Sequence, residues 1–331
     1  MVRKYFALCC VLFLIHFSTA QSISNIQLSK KQSVLNDKAC FTFPDSAIEV
    51  HRQTDLMAAP PNPSEETRIV YNMGSMRLIF FAQELYLLAD NNLFKEVSGD
   101  SAYAANFGSK VFSDKDSLYS IISTPLKYDS LQAGVLIKSL LVRTQDNSLF
   151  RIDAYINSGA FSRKAELQKI AENVFATLSK GNHKYKRNER NESYPIGDGK
   201  KSFLFHLPEN YCITIDTGED FEVFRFHKFR SFTDNTWANL VIYAGQHPSY
   251  TFMEYGLDER SARKDTDNFL GKKVEWLFFN YDLQGLFLKE QILPRDDIEK
   301  GEKIHAAMIT NNIESLKELT RIAESAKLEM K

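Results

Sequence analysis

Residues 152–178 align without a gap on residues 304–330, and this internal repeat constrains the fold more than any other feature of the chain. Seven positions are identical: Ile152 and Ile304, Ala154 and Ala306, Glu166 and Glu318, Leu167 and Leu319, Ile170 and Ile322, Ala171 and Ala323, Glu172 and Glu324. Upstream, Phe41 and Phe43 match Phe203 and Phe205, and LIFFA at 78–82 matches LVIYA at 240–244, both at one spacing. GVLIK at 134–138 then matches GLFLK at 285–289 at a shorter one. The chain therefore reads as two copies of one domain. The expected division is a leader at 1–20, a flexible segment at 21–38, a first domain at 39–180, a linker at 181–201 and a second domain at 202–331.

The leader is read from charge and hydropathy. Arg3 and Lys4 precede a short apolar run at 7–15, and Ser18 and Ala20 place small residues before Gln21. That run is too short to cross about 30 Å of hydrocarbon as a helix. Export to the periplasm or outside the cell is expected, with no transmembrane span in the mature chain. The leader's ending and the low cysteine count favour a Gram-negative bacterial route. Net charge is −1 over 331 residues, which argues against a general nucleic-acid binder. Beyond the leader only Cys40 and Cys212 remain. They sit at non-equivalent repeat positions, and export permits either a disulfide between them or two free thiols.

Hydropathy periods place the elements. Leu167, Ile170, Ala171, Val174, Phe175 and Leu178 form one helical stripe, and Leu319, Ile322, Ala323, Ala326 and Met330 repeat it. Ser162 is the expected cap of the first helix. In the second copy, strands are expected at 202–206, 212–215, 221–231, 237–244, 274–281, 285–293 and 303–310. The short joints at 280–285 and 296–301 imply antiparallel pairing. Residues 253–269 read as a second helix. The fold class expected is α+β, with a mostly antiparallel sheet packed against helices, built twice.

These elements and motifs resemble the PsbP-like family, which includes the extrinsic photosystem II protein and a Ran-binding nuclear import factor. The resemblance rests on Phe203, Phe205 and Pro208, on LVIYA at 240–244, on GLFLK at 285–289 and on LTRIAES at 319–325. In the first copy FTFP at 41–44 and LQKIAEN at 167–173 carry it. It implies an α/β/α sandwich acting as a binding or assembly module without catalysis. None of that family's binding residues transfers to this chain, and a tandem arrangement departs from its single-domain members.

No catalytic motif is present. The chain has no G-x-S-x-G elbow and no phosphate-cradling glycine loop. His206, His227, His247 and His305 fall in the second copy without metal-ligand spacing. They motivate only an alternative, an exported hydrolase with a metal or carboxylate site there. The run FEVFRFHKFRSF at 221–232 interleaves aromatics with Arg225, Lys228 and Arg230. Strand alternation sends Phe221, Arg225, His227 and Phe229 to one face, the candidate binding surface, and Phe224 and Phe226 to the other. Its first-copy counterpart, near 59–70, is Pro-rich. The basic linker reads as a soluble tether, and Asn191 opens a glycosylation sequon relevant only in a eukaryotic secretory host. The expected function is a non-catalytic binding or assembly module, without cofactor. Its partner would be an envelope or extracellular protein, glycan or lipid.

Overall fold

The computed structural model describes residues 26–50, 65–89, 111–115, 118–124, 126–130, 132–197, 199–231, 233–281, 285–294 and 303–330. The expected leader, residues 59–64 of the Pro-rich stretch, Phe232 and the joint at 296–301 lie outside them.

The first half contains β1 (Leu28–Val34), β2 (Ala39–Pro44), β3 (Ile48–Glu49), β4 (Glu66–Met73), β5 (Met76–Leu88), β6 (Val111–Lys115) and β7 (Leu118–Ser123). It continues with β8 (Lys127–Asp129), β9 (Gly134–Arg143), β10 (Ser148–Ile156), helix α1 (Lys164–Ala176) and β11 (Ser179–Lys180). The second half contains β12 (Arg190–Ile196), β13 (Lys201–Leu207), β14 (Tyr211–Thr217), β15 (Phe221–Lys228), β16 (Arg230–Ser231), β17 (Ala238–Gly245) and helix α2 (Thr251–Glu254). It ends with β18 (Arg263–Phe269), β19 (Lys272–Tyr281), β20 (Leu286–Pro294), β21 (Lys303–Thr310), helix α3 (Ile313–Ser325) and β22 (Lys327–Met330).

Strand order repeats between the halves. The large sheets run β3-β4-β5-β10-β9-β7-β6 and β14-β15-β17-β21-β20-β19-β18, and the small sheets β1-β2-β11 and β12-β13-β22. Register repeats as well at the sheet centre. Ala82 faces Ile152, and Ala244 faces Ile304. The glycine blocks at 134–138 and 285–289 are not register equivalents, because Ala154 faces Lys138 whereas Ala306 faces Gln291.

Alternation of apolar residues builds each core. In the first half Phe41, Phe43 and Phe80 point inward with Leu167, Ile170, Val174 and Phe175 of α1. In the second, Phe203, Phe205, Phe224 and Phe226 meet Leu316, Leu319 and Ile322 of α3. Edge-to-face rings recur in both, Phe43 on Phe80 at 5.2 Å and Phe205 on Phe226 at 5.0 Å. Each long helix and each small sheet thus cover the same face of a large sheet. The caps differ: Asn312 accepts the Glu314 and Ser315 N–H groups ahead of α3. Ser162 instead lies in a 3₁₀ turn, and α1 has no side-chain cap.

Three expectations are corrected. Neither half is an α/β/α sandwich, because twenty-two strands stand against three α-helices among the described residues. The fold is β-rich and mostly antiparallel. The helix expected at 253–269 is one turn, ended at Gly256 by a φ of +66° that suits glycine. Beyond it, RKDTDNF at 263–269 is an edge strand carrying Arg263–Asp265 and Lys264–Glu275 ion pairs. Charged edges block stray strand pairing, and their polarity resembles a helix surface when read as sequence alone. The third correction concerns the connection. Residues 190–196 form β12, and 181–187 are held against the first half rather than tethered loosely. Gly181 N–H donates to Lys38 O, and a Cβ at Gly181 would meet Asp37 O at 1.8 Å. Asn182 donates to the Asp37 carboxylate.

Candidate binding groove at the junction of the halves

The site begins with a slip in β5. Phe150 faces Glu84 while Leu149 faces Leu87, so Leu85 and Tyr86 drop out of the ladder with β10. Bulges of this sort re-aim a side chain. Tyr86 takes a φ of +50°, a left-handed conformation that costs a bulky residue about 1–3 kcal/mol. The Glu84 carboxylate holds it there. Its Oε1 accepts the Leu85 N–H at 3.1 Å and the Tyr86 N–H at 3.3 Å. Its Oε2 pairs with Lys38 and accepts the Tyr185 hydroxyl at 3.4 Å. Lys38 and Glu84 are both buried, and the Lys38 ammonium lies 4.9 Å from the Tyr185 ring. Each charge therefore has its partner and further polar contacts, the condition for a buried pair to hold.

Aimed this way, Tyr86 lies flat on His227 of the second half, ring centroids 3.8 Å apart and planes 2° from parallel. His227 Nε2 is 2.9 Å from Glu65 Oε1 and 2.8 Å from Thr214 Oγ1, and the Thr214 hydroxyl donates to the same Glu65 oxygen at 2.5 Å. Burial raises the Glu65 pKa. The hydrogen bond and charge of His227, with Thr214 and Arg225, outweigh it and leave the carboxyl below its ordinary value. Phe229 is buried against Tyr86 and Tyr185, at 5.6 and 5.0 Å. β16 then joins β5 in a parallel pair, Arg230 facing Leu87 and Ser231 facing Leu88. Burial, then Tyr185 and Glu65, push the Tyr86 hydroxyl well above the phenol range, so it stays protonated. That hydroxyl is buried and has no hydrogen-bond partner among the described residues.

Beside the stack runs a groove of about 120 Å³. Leu85 and Tyr86 supply one wall from the first half, and His227, Lys228, Arg230 and Trp237 the other from the second. Lys228 pairs with Glu318 at 2.5 Å. Arg230 Nη1 donates to the main-chain oxygens of Asp234 and Thr236, at 3.0 and 2.5 Å.

Of the four residues singled out on the 221–229 run, the structure brings His227 and Phe229 to this junction. Phe221 stacks on Tyr243 at 5.7 Å and Arg225 pairs with Asp216 at 2.9 Å, both farther along the strand. The first-half counterpart of this strand is β4, Glu66–Met73, which begins inside the expected 59–70 stretch and runs past its end. Cys40 and Cys212 are free thiols, not a disulfide. Cys40 points at Asp37 Oδ1, 3.6 Å away, and Cys212 is buried on β14. The four histidines do not converge. His206 meets Asn191 and Glu189, His227 meets Glu65, His247 is exposed, and His305 is buried on Glu290 at 2.8 Å. Among the described residues no cluster of three metal-binding side chains forms. Glu65, Glu84, Tyr86, Tyr185 and Trp237 were not singled out from sequence. Tyr86 sits in an apolar strand run, and nothing local marks a bulge there.

No protein-family model matches this chain, and no curated protein matches it. Three solved structures share a partial likeness. The solution structure of cyanobacterial PsbP (CyanoP) from Synechocystis sp. PCC 6803 covers 46% of this chain and 91% of its own, at 13% identity and a TM-score of 0.24. MucB in complex with MucA(peri) covers 88% and 89%, at 11% identity and a TM-score of 0.20. The immunity protein TplEi of T6SS from Pseudomonas aeruginosa, complexed with "L" peptide, covers 90% and 96%, at 10% identity and a TM-score of 0.20. At these scores the likenesses assign neither fold nor function here. No helix among the described residues is long and apolar enough to cross a membrane.

Proposed function

We propose that this chain is an exported, non-catalytic binding protein built from a duplicated β-rich domain, and that a protein partner docks at the junction groove. The placement of Tyr86 carries the reading. A left-handed tyrosine with an orphaned buried hydroxyl is poor for stability, and such departures gather where position matters more. Glu84, Lys38 and His227 all serve to hold that one ring in the groove wall. Size argues for the partner class. Small-molecule sites usually span about 300–1,000 Å³, whereas this groove, at about 120 Å³, fits a single anchoring side chain of the kind that dominates protein interfaces. The hydrolase alternative gains no support, since each second-half histidine is engaged in a separate contact or exposed.

Export rests on the residues of the leader, and the mass of the secreted chain, expected to begin at Gln21, checks it. The docking reading is tested by a photo-crosslinking amino acid at Asn239, which lines the groove, with the exposed Lys317 as control. A discrete protein adduct from position 239 alone is expected in the native host. Adducts from both positions, or from neither, overturn it.

A further inference from the structure

Resting on the docking reading above, the groove wall also specifies the chemistry of its occupant. No acidic residue lines it, whereas His227, Lys228 and Arg230 do. The carboxylates nearest to these groups do not line the groove and are already engaged. Glu318 is taken by Lys228 and Glu65 by His227 and Thr214, while Asp234 accepts the Thr236 N–H at 2.8 Å. Arg230 is the distinctive group. Both of its hydrogen bonds leave from Nη1 and end on main-chain oxygens, and it forms no ion pair among the described residues, although the Asp234 carboxylate lies near enough to feel its charge. Nε and Nη2 make no hydrogen bond there. These two atoms form the side-on fork that matches the two oxygens of a carboxylate, and anchoring Nη1 fixes the guanidinium plane in advance. Trp237 and Tyr86 supply flat apolar walls for the stem of such a side chain.

We propose that the groove captures a glutamate or aspartate side chain from an acidic segment of a protein partner, gripped by Arg230 through Nε and Nη2. The test uses the full mature chain and follows the Trp237 indole N–H resonance, assigned with Trp237→Phe. Three probes are titrated at equal ionic strength: a blocked hexaglutamate, a blocked hexaglutamine, and sodium acetate matched in carboxylate. The expected result is a saturable shift with hexaglutamate only, weakened at least tenfold by Arg230→Lys, which keeps the charge and loses the fork. Equal response to both hexamers overturns carboxylate recognition and leaves the docking reading intact. Acetate acting as well as hexaglutamate makes this a free-anion site and overturns the protein-segment assignment. Silence from all three probes overturns the inference, and the position-239 crosslink then decides separately whether docking falls with it. Should Arg230→Lys fail to fold, the wild-type comparison of the two hexamers still decides.

Discussion

The ring of Tyr86 lies parallel to that of His227, 3.8 Å away, and the two residues belong to different halves of the chain. The Tyr86 backbone is held by Glu84, and His227 is held by Glu65 and Thr214. Junction and groove wall are therefore the same structure, and disturbing either should register in both.

Removing the orphaned hydroxyl should not harm the fold. Tyr86→Phe keeps the stack and relieves a buried unpartnered group, which costs about 1–3 kcal/mol. The urea midpoint is expected to stay level or rise. A loss above about 1 kcal/mol would show that the hydroxyl is partnered after all.

Glu84→Gln should be severe. It leaves the buried Lys38 charge without a counter-ion, a change that typically costs about 3–5 kcal/mol. The double variant with Lys38→Met should recover much of the loss, because both charges are then gone. A double variant no more stable than Glu84→Gln alone would break this account.

Acid should loosen the junction through Glu65. Its folded pKa lies below its unfolded value of about 4.3. Its contribution is thus present above that value and lost as pH falls through the folded one. Denaturation midpoints measured from pH 7 downward should drop more steeply below about pH 4.3 in wild type than in Glu65→Gln. Parallel curves would count against the Glu65–His227 contact.

Ile170→Ala and Ile322→Ala should each cost about 2–5 kcal/mol, since both side chains are buried under their sheets. Chemical denaturation of the two variants checks this. A change near zero at either position contradicts the helical stripe.

The thiols should be slow. Burial raises the pKa of both Cys40 and Cys212, and the thiolate is the reactive form. Iodoacetamide at neutral pH should modify neither quickly in the folded chain. In urea without reductant, the intact mass should show two adducts. No adduct under those conditions would reveal a disulfide.

What could be read from sequence follows physical locality. Ile170 and Ile322 announce buried helical stripes because helical periodicity is local, and Phe224 and Phe226 announce a core face by alternation. Residues 263–269 do not read as a strand because the charged residues of an edge strand carry no apolar alternation. The β12 strand reads as linker because Arg190, Glu192 and Pro195 are polar or strand-breaking, yet they lie on the edge strand of a small sheet, where such residues fit. The junction was illegible for another reason. Glu65 and His227 are 162 residues apart, and the bulge at Tyr86 depends on Lys38, which reaches Glu84 from 46 residues away.

Repeated strand order sets a hazard for a chain of this design, because each strand on the two shared paths has a counterpart seat in the other half. By register, Ile69 occupies the seat of Phe224 and Tyr71 that of Phe226. A misplaced β15 would force an extra aromatic ring into the first core, and overpacking of that sort usually costs about 1–3 kcal/mol. A misplaced β4 would leave a void where Phe224 belongs. Divergence of inner side chains therefore acts as an address system during folding, directing each strand to its own sheet although the two sheets share one plan.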